Sequence, residues 1–373
     1  MLPQADPATR DRFLGCLLGG AIGDALGYPI EFVRSAAEIA ARFGTAPPAE
    51  LAYHGPAVVS DDTQMTLFSA EALLRARAAG AGEGGVALFA LGAYQRWYAT
   101  QATLPPPSHL PVGQGILIAE PRLYVRRAPG QTCIGAIVGS FVRQAVGTVD
   151  DPPNFSKGCG AVMRAAPFGL AARTRAEAFV TARDAAALTH GHPSGYLSAA
   201  YLGALVYDLA RGLDLAEAMR AADVLLSRER EHAELAAAIA AARQLAARGI
   251  PAARDLEQLG GGWVGEEALA IALACALTAG ADDVGGALWR SAAHGGDSDS
   301  TGSITGNLVG AMFGARALPA RWREQVELAD LVERIAIDLH DVAIAGAAPD
   351  PVAYPATDGT VRLRREQGET GGP

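Results

Sequence analysis

The sequence predicts an all-α fold, and three observations predict it. Alanine and leucine dominate long stretches whose apolar residues recur at helical spacing. No succession of alternating β-branched residues marks a strand, and proline and glycine punctuate the joints. In chain order, helices are expected over residues 10–27, 63–79, 84–100, 174–189, 195–211, 214–228, 230–248, 265–279, 282–293 and 300–315, with a last helical region over 321–345. The joints fall at Pro105-Pro106-Pro107, Pro152-Pro153 and Gly260-Gly261-Gly262. No repeat with a period of roughly 20–50 residues recurs, which argues against a solenoid.

The 373-residue chain is read as a single compact domain over 10–350. A flexible N-terminus over 1–9 precedes it, and a polar, flexible tail over 351–373 follows. Half of the residues are apolar and 19% are charged, enough to bury a large core. The net charge of −9 argues against a nucleic-acid partner, which requires a basic face. Cys16, Cys133, Cys159 and Cys275 form no close pairs, the pattern of reduced thiols in a cytoplasm rather than a disulfide framework or zinc site. The apolar stretch from Phe13 to Ile30 is interrupted by Asp24 and follows Arg10-Asp11-Arg12. It reads as a core helix, not a signal peptide or membrane span, so no membrane partner is expected.

Two glycine ladders, Gly15-Gly19-Gly23-Gly27 and Gly302-Gly306-Gly310-Gly314, each place glycine on nearly one helix face. Glycine costs about 0.5–1 kcal/mol per helix position relative to alanine, and close backbone packing is the compensation. One reading is only that both helices are buried. The other is that the ladders bring the segments carrying Asp24 and Asp299 together.

The chemistry lies in two acidic segments. Ser60-Asp61-Asp62-Thr63 stands at a helix entrance, where Ser or Asp caps well and the helix dipole favours negative charge. Capping explains one of the four residues, not all of them, and metal ligation is the alternative reading of the segment. Gly295-Gly296-Asp297-Ser298-Asp299-Ser300-Thr301-Gly302 also precedes a helix, and in an extended turn Asp297 and Asp299 can point at one centre beside Ser300 or Thr301. Carboxylates packed this closely repel unless protons or a cation neutralise them. Oxygen ligands of this kind suit Mg²⁺ or Mn²⁺ better than zinc or copper. The alternating acids and terminal glutamate of a calcium loop are absent.

Five segments in order resemble the ADP-ribosylglycohydrolase family. They are Gly23-Asp24-Ala25-Leu26-Gly27 with Glu31, Ser60-Asp61-Asp62-Thr63, Gly158 to Arg164 with Ala165-Ala166-Pro167, Leu188-Thr189-His190, and His294 to Gly302. The resemblance spans roughly residues 13–340. It implies a helical fold with two Mg²⁺ or Mn²⁺ ions at the bottom of a cleft. It implies metal ligands at Ser60, Asp61, Asp62, Asp297, Asp299 and Ser300, with Glu31 as general base or ligand; Glu31, Asp61 and Asp299 are the catalytic candidates. The Gly158–Arg164 loop, with Gly158, Gly160 and Arg164, and His190 are implied to line the ADP-ribose cleft. Arg164 is open between a phosphate contact and a pairing with a buried acid.

The Ser-Asp-Asp-Thr and Gly-Asp-Ser-Asp-Ser-Thr-Gly wording is most similar to members that act on ADP-ribosylarginine. The family's commoner Gly-Asn-Gly-Gly loop appears as Lys157-Gly158-Cys159-Gly160, a departure that bears on substrate contacts. The implied activity is metal-dependent cleavage of an N-glycosidic bond in arginine-linked ADP-ribosylated protein, through a transition state of oxocarbenium character. Hydrolysis of ADP-ribosylserine or of a small ADP-ribosyl compound, and binding or immunity against an ADP-ribosylating toxin, are the competing readings. A cytoplasmic monomer is expected. His192, His232 and His340 read as structural, His294 as orienting an Asp or touching substrate, and Ala128 to Thr132 as a loop that shapes or gates the cleft.

Overall fold

The computed structural model describes residues 6–102, 113–143 and 145–361. Among these residues there are sixteen α-helices, short 3₁₀ turns and no strand. The first half holds α1 (Pro7–Gly27), α2 (Ala36–Phe43), α3 (Asp61–Ala78), α4 (Val86–Ala102), α5 (Gln131–Ser140), α6 (Ala166–Ala171), α7 (Arg175–Ala187) and α8 (Pro193–Ala210). The second holds α9 (Leu215–Leu226), α10 (Ala233–Ala246), α11 (Ala253–Leu256), α12 (Gly265–Leu277), α13 (Val284–Ala292), α14 (Ser298–Phe313), α15 (Ala320–Gln325) and α16 (Ala329–Ala343).

Every helix expected from periodicity is present, shifted by a few residues at its ends. The expected 321–345 region is two helices, because Leu328 takes a left-handed backbone (φ 63°) between them. The short helices α2, α5, α6 and α11 escape the periodic signal, each too brief to show repeated turns. The Pro105-Pro106-Pro107 joint lies outside the described residues.

The centre of the molecule is α1 packed antiparallel on α14, glycine against glycine. A methyl group at Gly19 would fall on the Gly306 carbonyl, one at Gly23 on the Gly302 carbonyl, and one at Gly27 on the Ser298 carbonyl. The two ladders therefore mesh along their length, and the second reading of them holds. The C-terminal end of α1 arrives beside the N-terminal end of α14, which carries the second acidic segment. By length and composition Pro7–Ile30 could span a membrane, yet most of it is buried within this protein. Helix α16 closes over α1, with Phe13 and His340 edge to face at 5.4 Å.

The C-terminal boundary differs from expectation. Residues 351–361 do not form a loose tail but cross α4 and the C-terminal half of α3, burying Tyr354 and Val361. Gln95 takes both backbone groups of Val361, at 2.7 and 3.0 Å. Arg96 donates to the Asp358 carbonyl at 3.1 Å while pairing with Glu71 at 2.8 Å, both side chains being fully buried. These carbonyls share the solvation of a buried Glu71–Arg75–Arg96 cluster that carries one more positive than negative charge, which the composition of the tail did not reveal. At the other end, α1 starts at Pro7 with Asp6 as its cap, three residues ahead of the expected boundary.

Candidate functional site

Asp24, on the last turn of α1, is fully buried and takes hold of the start of α3. Its carboxylate accepts the amides of Ser60 and Thr63 at 3.0 Å and the Thr63 hydroxyl at 2.5 Å. Two of the amides left open at a helix start, and one side-chain hydroxyl, are thereby engaged from another helix. Ser60 caps α3 locally, its Oγ accepting the Asp62 amide at 3.2 Å. Asp61 reaches across to the 127–130 loop, where Oδ2 accepts the Gly130 amide at 3.1 Å. The first acidic segment is thus capped twice over without using the carboxylates of Asp61 and Asp62, which are buried.

Asp297 caps α14, its Oδ1 accepting the Ser300 amide at 3.3 Å, while Oδ2 accepts the Cys159 thiol at 2.9 Å. Asp299 accepts the same Ser300 amide at 3.0 Å. The loop before α14 is braced by the Gly260–Gly262 joint, where the Gly261 carbonyl accepts the Asp297 amide at 2.8 Å. Gly295 has φ +84° and abuts the Ser35 backbone, so no side chain fits there. His294 is buried and bonded through Nε2 to Thr301 Oγ1 at 3.0 Å. Burial pushes its pKa down to about 4. It orients the first turn of α14 through Thr301 and does not line the cavity.

The two acidic segments meet on one cavity of about 190 Å³. Glu31, Asp61, Asp62, Asp297, Asp299 and Ser300 line it on the acidic side. Gly158, Cys159, Gly160 and His190 line it with the Ala128–Cys133 stretch and Trp263. Two residues named from the sequence do not line it. Ser60 lies behind Asp61 and Asp62, turned inward as their cap. Arg164 is buried in the core, donating to Thr189 Oγ1 at 2.6 Å and Cys133 Sγ at 3.3 Å and stacked 4.1 Å from the Tyr94 ring. It pairs with neither a phosphate position nor an acid; it supports His190 from behind, because Thr189 Oγ1 lies 2.8 Å from His190 Nδ1.

Burial raises the pKa of each carboxylate here above its ordinary value. Burial pushes Glu31 up to about 8, with the charges of Asp297, Asp61 and Asp24 adding. Burial likewise lifts Asp61 to about 8, against the Gly130 amide, which lowers it. Asp62 and Asp299 are raised well above the ordinary carboxylate range, by burial first and then by neighbouring carboxylates. Asp24 rises to about 6 through burial, restrained by Thr63 and Ser60. His190 goes the other way: burial and the Arg164 charge take it down to about 3, so it is a neutral imidazole.

Among the described residues no three His, Cys, Asp or Glu side chains converge on a point as a preformed ligand set. The acids instead surround a common space. Their donor set nevertheless fits a hard divalent cation. Oxygens predominate, and Glu31 Oε2 and Asp62 Oδ2 are buried with no hydrogen-bond partner. A buried carboxylate oxygen in that state needs a proton or a cation.

Three lining features were not singled out from the sequence. Cys159 and Cys133 come into view only when α5 and the Gly158–Arg164 loop are placed against α14. Trp263, 45% exposed, forms a stacked pair with Phe32, 73% exposed, at 6.1 Å between ring centroids. The triple glycine before Trp263 was the available signal, since it marks a loop with room for a large exposed neighbour.

The family model described as ADP-ribosylglycohydrolase matches residues 5–348. The chain is 26% identical over 335 residues to the ADP-ribosyl-(dinitrogen reductase) glycohydrolase of Rhodospirillum rubrum, covering 86% of this chain and 92% of that one. It is 30% identical over 214 residues to ADP-ribosylhydrolase ARH3 of Danio rerio, covering 50% of this chain and 58% of that protein. A solved structure described as an ADP-ribosylglycohydrolase-related protein complex superposes with a TM-score of 0.61 at 25% identity, covering 90% of this chain and 99% of that one.

Proposed function

The chain belongs to the ADP-ribosylglycohydrolase family, and from that membership we propose that it cleaves the N-glycosidic bond between ribose and an arginine side chain of ADP-ribosylated protein, reversing the modification. The observation that carries this reading is the meeting of two acidic helix starts on one cavity, with Glu31 beside them. The Ser-Asp-Asp-Thr and Gly-Asp-Ser-Asp-Ser-Thr-Gly wording supports arginine as the linkage. The Rhodospirillum rubrum relative, whose name gives ADP-ribosyl-dinitrogen reductase as its substrate, supports a protein as the carrier.

Two Mg²⁺ or Mn²⁺ ions would be held by Asp61, Asp62, Asp297, Asp299 and Ser300, with Ser60 immediately behind. Bound there, the ions supply positive charge that offsets the carboxylates, orients ribose hydroxyls and acidifies water. In its ionised form Glu31, whose buried Oε2 has no hydrogen-bond partner, is the group that takes a proton from the attacking water. The neutral His190, its Nδ1 occupied by Thr189, offers Nε2 to the substrate as a hydrogen-bond group. Gly160 keeps this wall open, since a methyl group there would lie 2.9 Å from Cys133 Sγ and 3.2 Å from His190. Across the mouth, the Phe32–Trp263 pair provides an exposed apolar face of the kind on which a purine stacks.

The test is release of ADP-ribose from arginine-linked and serine-linked ADP-ribosyl proteins, with and without Mg²⁺ or Mn²⁺. Release from the arginine linkage alone, dependent on the cation, is expected. Release from the serine linkage alone would move the substrate assignment, and release from neither would favour a binding role.

A further inference from the structure

Cys159 is left unexplained by the capping of α14 and by an all-oxygen donor set. Its Sγ lies 2.9 Å from Asp297 Oδ2 and 3.7 Å from Ser300 Oγ, two of the groups placed around the cation site. It lines the same cavity as Glu31 and Asp62. Cys16, Cys133 and Cys275 are buried, whereas Cys159 is partly exposed. Its position is fixed by backbone pairing with the opposite loop: the Cys159 amide donates to the Trp263 carbonyl at 3.1 Å, and the Gly265 amide to the Lys157 carbonyl at 2.8 Å. A second observation points to a ligand in this space. Asp62, 2% exposed, and Glu31, 8% exposed, line the same cavity as the sulfur, and each has a buried carboxylate oxygen without a partner.

We propose that Cys159 adds a sulfur donor to this centre, so that the cavity takes a thiophilic divalent cation, of the Zn²⁺ or Cd²⁺ kind, through Cys159 Sγ together with Asp297. The inference rests on the reading of the cavity as a cation site and sharpens which cations it admits. Oxygen donors alone rank divalent ions by charge and size, and Mg²⁺ and Mn²⁺ suit them; a thiolate selects softer ions. Zinc accepts sulfur and carboxylate oxygen in one coordination shell, so the Cys159–Asp297 pair is a mixed donor set it can use. The exchange balances simply: the S–H bond gives way to a sulfur–metal bond, and the proton leaves to solvent. A thiophilic ion bound in this way competes with Mg²⁺ or Mn²⁺ for Asp297. The cavity is thereby selective in a manner that an asparagine or glycine at position 159 would not make it.

The test uses the full chain, stripped with chelator and titrated with Cd²⁺ while the ultraviolet sulfur-to-cadmium charge-transfer absorbance is followed. Mn²⁺ binding is measured on the same proteins by electron paramagnetic resonance. The wild type is expected to bind Mn²⁺ and to develop the cadmium band. Cys159→Ser is expected to lose the band while still binding Mn²⁺, and Cys133→Ser to keep it. A band that persists in Cys159→Ser, or Mn²⁺ binding in a wild type that shows no band, overturns the role of Cys159 and leaves the cation site standing. Failure of the wild type to bind Mn²⁺ at all overturns the cation site, and this inference with it.

Discussion

The Asp24 carboxylate and the Thr63 hydroxyl lie 2.5 Å apart, and through that contact α1 holds the start of α3 in place. Asp24 faces no cavity and touches no substrate position, yet it sets where Asp61 and Asp62 stand. Asp24→Ala leaves the buried amides of Ser60 and Thr63 without their acceptor. Each such orphaned group costs about 1–3 kcal/mol, so a loss of roughly 2–5 kcal/mol is expected. Thr63→Val, which removes one donor only, should cost about 1–2 kcal/mol. Urea unfolding of the two variants gives the comparison, and equal losses would mean that the amide contacts contribute nothing.

The glycine ladders make a sharper claim about packing. Gly23→Ala places a methyl group on the Gly302 carbonyl, in backbone that cannot move aside without separating α1 from α14. Overpacking of this kind typically costs about 1–3 kcal/mol and here should sit at or above the upper end. Gly84→Ala meets open space and is the control: it should be neutral or stabilise by about 0.4–1 kcal/mol. Thermal unfolding separates the two, and a harmless Gly23→Ala would contradict the close approach.

The acidic cavity makes stability depend on pH in an unusual direction. Glu31 and Asp61 are raised to about 8 and Asp24 to about 6. In the unfolded chain these groups titrate near about 4. The folded state therefore binds more protons than the unfolded state between those values, and stability falls as pH rises through that window. With chelator present, the melting temperature should be higher at pH 5.5 than at pH 8.5. Mn²⁺ should restore the loss at the higher pH by replacing the protons. A chelated protein whose melting temperature is unchanged or rises across this range would contradict the assignment.

Residues 351–361 are predicted to be part of the folded unit. Truncation after Asp350 removes buried Tyr354 and Val361 and strips the Thr357 and Asp358 carbonyls from Arg75 and Arg96. Breaking a buried charge's partnership costs about 3–5 kcal/mol, and a drop of that size in unfolding free energy is expected. Limited proteolysis of the full chain should spare this segment.

Much of this architecture was legible in the sequence because it is written locally. Helical periodicity marks the long helices, and glycine at every fourth residue in α1 and α14 offers a close contact between their two segments as one of two readings, the other being simple burial. The acidic segments were legible as chemistry because a cap needs one polar residue and each offers four or more. What stayed hidden depends on distant partners. The helix entrance at Ser60 suggested a cap, but nothing beside Arg164 indicates that it stacks on Tyr94. Tyr354, within a polar tail, is buried with its hydroxyl donating to Asp338 on α16 at 2.6 Å, a partner that its neighbours in sequence do not indicate. Cys159 reads as a departure from a glycine-rich loop until Asp297 is seen in contact with its thiol.

The most direct measurement is the rate of ADP-ribose release from an arginine-linked ADP-ribosyl protein by wild type and by Asp299→Ala, at saturating Mg²⁺ or Mn²⁺, with the fold checked by circular dichroism. Losing a residue that merely supports a metal ligand typically costs about 10–100-fold, and removal of Asp299 itself should exceed that while the helical spectrum is unchanged. Turnover near that of the wild type in a folded Asp299→Ala protein would contradict a cation-dependent centre built from the two acidic segments.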